Sequence, residues 1–285
     1  MFYLIQILNG VQYGLLLFLL ASGLTLIFGI MGVINLAHGS FYMIGAYLAY
    51  WLVTTTGSLW LAIPLSIVIA FSIGLLLETT IFSRLYKRDH LYQVLLTFGL
   101  ILVLEELRSI LFGDDVHGVA VPPLLDFSLP LTDTLSYPVY RLFVTAVCIV
   151  IAVAMYFVIH RTRIGMMIRA GASNREMAAS LGVNIRLLFA FVFAFGVALA
   201  AFAGTIAAPI ASVAPGMGNH ILIICFVVVV IGGIGSINGA MIGSLAIGLA
   251  DTLGKVLAPE YSSVAVYLLM AMILLWRPQG IATRS

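Results

Sequence analysis

The sequence predicts an all-α polytopic membrane protein with about eight to nine transmembrane helices, and three observations carry that expectation. Hydrophobic residues make up 63% of the 285 and charged residues only 8%, against about 25% charged in soluble domains. Apolar runs long enough to cross a bilayer, about 20 residues each, recur along nearly the whole chain. Glycine is abundant at 27 residues, as expected where membrane helices approach closely. Residues 1–285 read as one transmembrane domain.

The first span is expected over 7–28, the second over 41–53, the third over 59–82 and the fourth over 91–112. A fifth covers 139–159 and a sixth 185–208. Between 221 and 250 the chain is apolar but broken by glycines, so it forms either two short spans or a re-entrant pair. The last span covers 264–276. The N-terminus lacks the basic start of a cleaved signal peptide, since the first Lys or Arg is Arg84.

Charge placement sets the expected orientation. Arg84, Lys87 and Arg88 follow the third span, five arginines between Arg161 and Arg186 follow the fifth, and Arg277 and Arg284 follow the last. The 113–138 loop has no Lys or Arg but carries Asp114, Asp115, Asp126 and Asp133. That loop is therefore placed outside, and 161–186 in the cytoplasm. Alternation then needs an outside N-terminus, a cytoplasmic C-terminus and two crossings within 221–250. The outer loop is either a structured lid or a passive connector.

The longest polar interruption is GMMIRAGASNREMAASLGVN, Gly165 to Asn184. Ser173 precedes Glu176 by three positions, a capping-box pattern, and Gly182 sits where a helix stop belongs. Asn174 to Leu181 should form about two turns of surface helix. So short a helix is marginal unless it packs on something. It is either a loop resting on its own protein or a docking element for a cytoplasmic partner.

Gly29 to Gly39 breaks a helical run near the membrane boundary and carries Asn35 and His38. Buried polar groups need partners or a cavity, so these two either line a translocation path or cap the next helix and bond backbone carbonyls. The string Gly-x-x-Gly-x-Ile-Asn occurs at Gly29–Asn35 and again at Gly232–Asn238, either by chance or as the trace of an internal repeat. Gly235, Gly239 and Gly243 recur every four residues, as do Gly10 and Gly14, which suits close helix packing.

Glu78 is expected to pair with Arg84 or Lys87. Glu105 and Arg108 are three apart on one helix face and can neutralise each other, and Asp251 is read as another paired interfacial acid. Cys148 and Cys225 lie inside apolar runs and read as small buried hydrophobes, with no metal site implied. No catalytic constellation suggests an enzyme, and no Walker A motif is present. If the protein uses ATP, another chain must bind it.

The segments NLAHGSFYMIGAYLA (Asn35–Ala49), RAGASNREMAASLGVN (Arg169–Asn184) and GGIGSINGAMIGSLAIG (Gly232–Gly248) together resemble the LivH-type permeases of branched-chain amino acid ABC importers. The likeness extends over nearly the whole chain. Glu176, Ala178, Ala179 and Gly182 resemble the E-A-A-x-x-x-G signature of ABC permeases, with Met177 in place of the first alanine. The resemblance implies that Asn174–Leu181, with Ser173 and Arg175, is a short cytoplasmic coupling helix that docks an ATPase subunit.

It also implies a set of partners: a second, related permease subunit, in a heterodimer rather than a homodimer, two ATPases and a periplasmic solute-binding protein. The setting is a bacterial inner membrane and its lipid, with no nucleic acid. This chain would bind no cofactor of its own, ATP and Mg residing on the partners. The expected cargo is a branched-chain amino acid; urea, other amides and small organic acids are alternatives within the same family. The rival outside it is an ion-coupled secondary transporter.

Overall fold

The computed structural model describes residues 2–86, 88–132, 135–257 and 259–282. Eleven α-helices account for most of them: α1 (Phe2–Met31), α2 (His38–Thr56), α3 (Leu59–Thr80), α4 (His90–Phe112), α5 (Val139–Arg161), α6 (Arg163–Ser173), α7 (Arg175–Ser180), α8 (Ile185–Ala207), α9 (Met217–Gly232), α10 (Ile237–Leu257) and α11 (Ser262–Trp276). By length and composition, five are apolar enough to cross a membrane: α1, α3, α5, α8 and α10. Helices α9 and α11 are shorter but apolar. The remaining two expected spans also form as helices but are more polar, α2 ending in three threonines and α4 carrying Glu105, Glu106 and Arg108. The chain is a multi-pass membrane protein, and 221–250 resolves into two helices joined by a glycine turn.

Helices α1 and α8 are the core. Both are apolar all round, as a buried helix must be, and side chains along most of each are buried. Glycines set how closely their neighbours approach. Gly10 and Gly14 of α1 lie against Leu249 and Leu245 of α10, so these two helices run antiparallel in direct backbone contact. Gly45 of α2 lies on Ala201 of α8, and Gly204 of α8 on Tyr42 of α2, so closely that a Cβ on either glycine would overlap the partner backbone. Thr205 Oγ1 lies 3.0 Å from the Gly45 carbonyl and 2.9 Å from Ser66 Oγ, tying α8 to α2 and α3.

The glycine stripe expected on one helix face is partly corrected. Gly239 and Gly243 do pack α10 onto α9, against Gly232 and Val228. Gly235 precedes α10 instead, in a turn with φ of 82°. Its Cα takes up the space beside Gly29 of α1. Gly32, with φ of 62°, follows α1 directly, whereas α9 is capped by Gly233, with φ of 92°, two residues before Gly235. In both copies of the string a helix is followed by a left-handed glycine, a conformation that costs glycine little, but at different positions of the string, Gly32 in one and Gly233 in the other.

The 113–138 loop is structured. Strands β1 (Ser128–Thr132) and β2 (Leu135–Pro138) pair antiparallel, with Leu129 opposite Tyr137. His117 exchanges two backbone hydrogen bonds of 2.9 Å with Val213, beyond the end of α8, and its ring stacks on Tyr50 at 4.2 Å. Asp133, one of the acids expected there, lies outside the described residues, as do Lys87 and Arg284.

Candidate functional site

The surface helix forms as α7, but its cap is not the one the spacing suggested. Ser173 ends α6, an amphipathic helix that sequence reasoning missed. Asn174 is the N-cap, its Oδ1 accepting from the Met177 amide at 2.9 Å. Asn174 is extended, with φ of −152°, which frees its side chain to reach the N3 amide. Gly182, at φ of 88°, ends the helix as expected, its amide bonding the Ala179 carbonyl at 2.9 Å while Val183 bonds Ala178 at 3.1 Å.

Two features decide what α7 presents. Ala178 is 2% exposed and packs inward, while Glu176, Ala179 and Ser180 face out. Met177 is 61% and Leu181 78% exposed. These are apolar residues four apart, hence neighbours on one face, and the sequence reading did not single them out. Arg175 turns back to its own chain. Its Nη2 donates to the Met31 carbonyl at 2.7 Å, and its guanidinium lies over the Phe189 ring at 5.4 Å. One side chain thus joins α7 to the end of α1 and to α8. Beside it, Phe189 meets Tyr86 edge-on, and Tyr86 donates to Glu78, which is fully buried. Tyr86, rather than Arg84, is therefore the partner found for Glu78. Burial pushes the Tyr86 phenol well above its usual range, so it stays protonated and remains the donor.

Asn35 and His38 lie deeper than expected. His38 Nε2 donates to the Leu20 carbonyl at 3.0 Å, and Leu20 is eleven residues, roughly 16 Å, up α1 from Met31. Residues 32–37 therefore double back into the interior before α2 begins. Asn35 Oδ1 accepts from the Ala37 amide at 3.1 Å. Helix α9 also starts inside, Gly218 in its first turn packing on Gly39 in the first turn of α2. Two helix starts, each short of a full crossing, meet in the protein interior. Asn35 and His38 are both 0% exposed, and here they fix the start of α2 rather than line an open cavity. Asn35 Nδ2 and His38 Nδ1 are buried without a hydrogen-bond partner among the described residues.

At the opposite end from α7, Arg108 is the anchor. It bonds Asp114 at 2.7 Å and the Gly113 carbonyl at 2.7 Å, with Glu105 at 3.5 Å. The i,i+3 pair is present, but Asp114, which the sequence reading did not pair, is the closer partner. The bond from Arg108 holds the Asp114 carboxyl below the usual carboxylate range. A depressed carboxylate pKa contributes above the unfolded value and is lost as pH falls through the folded one, so this anchor weakens below about pH 4. Replacing Arg108 with Met is expected to raise the proteolysis rate of the 113–138 loop several-fold at neutral pH, by limited digestion of the purified chain. Asp251 pairs with Lys255 at 2.6 Å, the interfacial pairing expected of it.

Comparison with known proteins finds relatives along nearly the whole chain. The family described as branched-chain amino acid transport system / permease component matches residues 6–275. The chain is 32% identical to the high-affinity branched-chain amino acid transport system permease protein BraD of Pseudomonas aeruginosa, over 99% of this chain and 96% of that protein. It is equally similar, at 32%, to LivH of Escherichia coli K12, over 100% of this chain and 96% of the relative. LivM of the same organism, another permease protein of that transport system, is 28% identical over 92% of this chain and 67% of its own length. No solved structure matches the chain at a significant level. With a match spanning almost every helix described above, the chain belongs to the branched-chain amino acid transport permease family.

Proposed function

We propose that the chain is the transmembrane permease subunit of an ATP-driven importer, carrying branched-chain amino acids delivered by a periplasmic binding protein across a bacterial inner membrane. The observation that carries this reading is α7: a rigidly held two-turn helix with Met177 and Leu181 exposed at the arginine-rich end. An apolar pair beside Glu176 suits a groove on a cytoplasmic ATPase. The similarity to both LivH and LivM supports a core of two related permeases. ATP and Mg would be held by the partners, and this chain would supply the path and the docking helix.

In this reading the E-A-A-like residues divide their work. Asn174 and Gly182 shape the helix, Ala178 seats it, and Glu176, Met177, Ala179 and Leu181 meet the ATPase. Arg175 passes the motion on, since it grips Met31 at the point where the chain turns back toward Asn35, His38 and α2. Asn35 and His38 would lie beside the translocation route, setting where α2 starts. Arg175→Gln is expected to leave ATPase association unchanged but lower uptake roughly tenfold or more, as fits the loss of a charge-assisted hydrogen bond.

The deciding experiment is isolation of the chain from native membranes with identification of the co-purifying subunits. Two ATPases and a second permease are expected. A lone oligomer that transports without ATP would overturn the proposal and favour an ion-coupled carrier.

A further inference from the structure

At the end opposite α7, a cavity of about 370 Å³ opens between the N-terminal half of α1, the first turn of α5, the second turn of α2 and the last turns of α8 and α10. That volume falls near the lower end of small-molecule sites, roughly 300–1,000 Å³. Its walls carry opposite charges. On one side Arg141 Nη1 donates to Asn9 Oδ1 at 2.8 Å. On the other, Asp251 is paired with Lys255, whose ammonium lies 5.7 Å from the Tyr13 ring centre. Asp251 is mostly buried, its side chain 11% exposed, while that of Lys255 is 61% exposed. The lysine is thus the solvent-facing partner and the carboxylate the one that faces inward.

Two further polar groups have no structural use. Gln12 is 4% and Tyr42 5% exposed, and both line this cavity. Neither side chain makes a hydrogen bond among the described residues. The two residues are largely buried, yet their polar atoms are not among those sealed off without a partner; they open onto the cavity and are available to a ligand. The rest of the lining includes Leu16, Ile210 and Val256, which suit a short aliphatic group.

We propose that this cavity binds a free, zwitterionic aliphatic α-amino acid, with its carboxylate on Arg141, its ammonium on Asp251 and its side chain against the apolar wall. Gln12 and Tyr42 supply the neutral hydrogen bonds. The site lies within one subunit, so cargo would be received by this chain before any surface shared with a second permease is reached. The proposal rests on the amino-acid permease reading above. It assigns Arg141 and Asp251, which are far apart in sequence, to the two charged groups on one α-carbon.

The test is binding of radiolabelled leucine to the full chain in phospholipid nanodiscs. Saturable binding is expected, with 4-methylvalerate, which lacks the ammonium, and leucinamide, which lacks the carboxylate, each competing at least tenfold more weakly. Asp251→Asn and Arg141→Met should each weaken leucine binding about tenfold or more, the scale of losing one charged hydrogen bond. Gln12→Leu and Tyr42→Phe should weaken it several-fold, and as near-isosteric changes they keep the test valid if a charge variant misfolds. Absence of saturable binding by the unaltered chain, equal competition by either analogue, or indifference to all four substitutions would overturn the proposal. ATPase co-purification from the same cells separates the two readings: retained without leucine binding, it leaves the importer assignment standing and removes only this site.

Discussion

A charge placed on the exposed face of α7 is expected to abolish ATPase docking while leaving the chain inserted and folded. Met177→Asp and Leu181→Asp are the informative changes, because these side chains are 61% and 78% exposed and bear no load in the fold. Buried interface anchors typically lose about 2–4 kcal/mol on truncation, so association should fall roughly 30-fold or more. Glu176→Lys should act in the same direction. Deleting Ala178 and Ala179 is a harsher change, since Ala178 is 2% exposed and its loss would also unseat α7 from its own protein. The readout is co-purification of the ATPases, with thermal unfolding of the isolated chain as the control. Normal co-purification after both aspartate substitutions would sink the docking assignment.

The second large effect is expected at the crossing of α2 and α8. A Cβ at Gly45 would meet the Ala201 carbonyl oxygen at 1.9 Å, and one at Gly204 would meet the Tyr42 carbonyl oxygen at 2.0 Å. Both obstacles are backbone, so a whole helix must move. Gly45→Ala and Gly204→Ala should therefore each cost about 1–3 kcal/mol or more, the range of overpacked cores. The apparent midpoint of thermal unfolding in detergent should fall clearly. Gly99→Ala supplies the contrast. It lies within α4 with nothing within 4 Å of its would-be Cβ, and alanine is favoured over glycine in a helix by up to about 1 kcal/mol. Gly99→Ala should be neutral or stabilising. Equal losses at Gly99 and Gly45 would refute the steric account.

Much of the fold was legible because lipid imposes one strong rule, that backbone polar groups be satisfied within each span. Long apolar runs could then only be helices, and the expected spans at 59–82, 91–112, 139–159 and 185–208 lie within about two residues of α3, α4, α5 and α8. Local capping was harder to read. Ser173 and Asn174 are both good caps, and the choice fell to Asn174 because α6 continues through Ser173. That continuation depends on how α6 packs, with Gly165 pressed against the Ile159 carbonyl.

The sequence by itself determined the class of molecule, the order of its spanning helices and the position of a short surface helix. Each of these follows from hydrophobic length or from residues adjacent in the chain. Only the tertiary structure decided the rest. It showed that residues 32–37 fold back, so that His38 meets Leu20 inside the protein. It placed Arg175 on Met31, 144 positions away, gave Glu78 a tyrosine partner in Tyr86, and brought Arg141 and Asp251 to one cavity. The physical reason is the same in each case. A buried polar group takes whichever partner the packing of distant helices brings within about 3 Å, and helix spacing is set by glycine contacts such as Gly45 on Ala201, which no periodicity along the chain specifies.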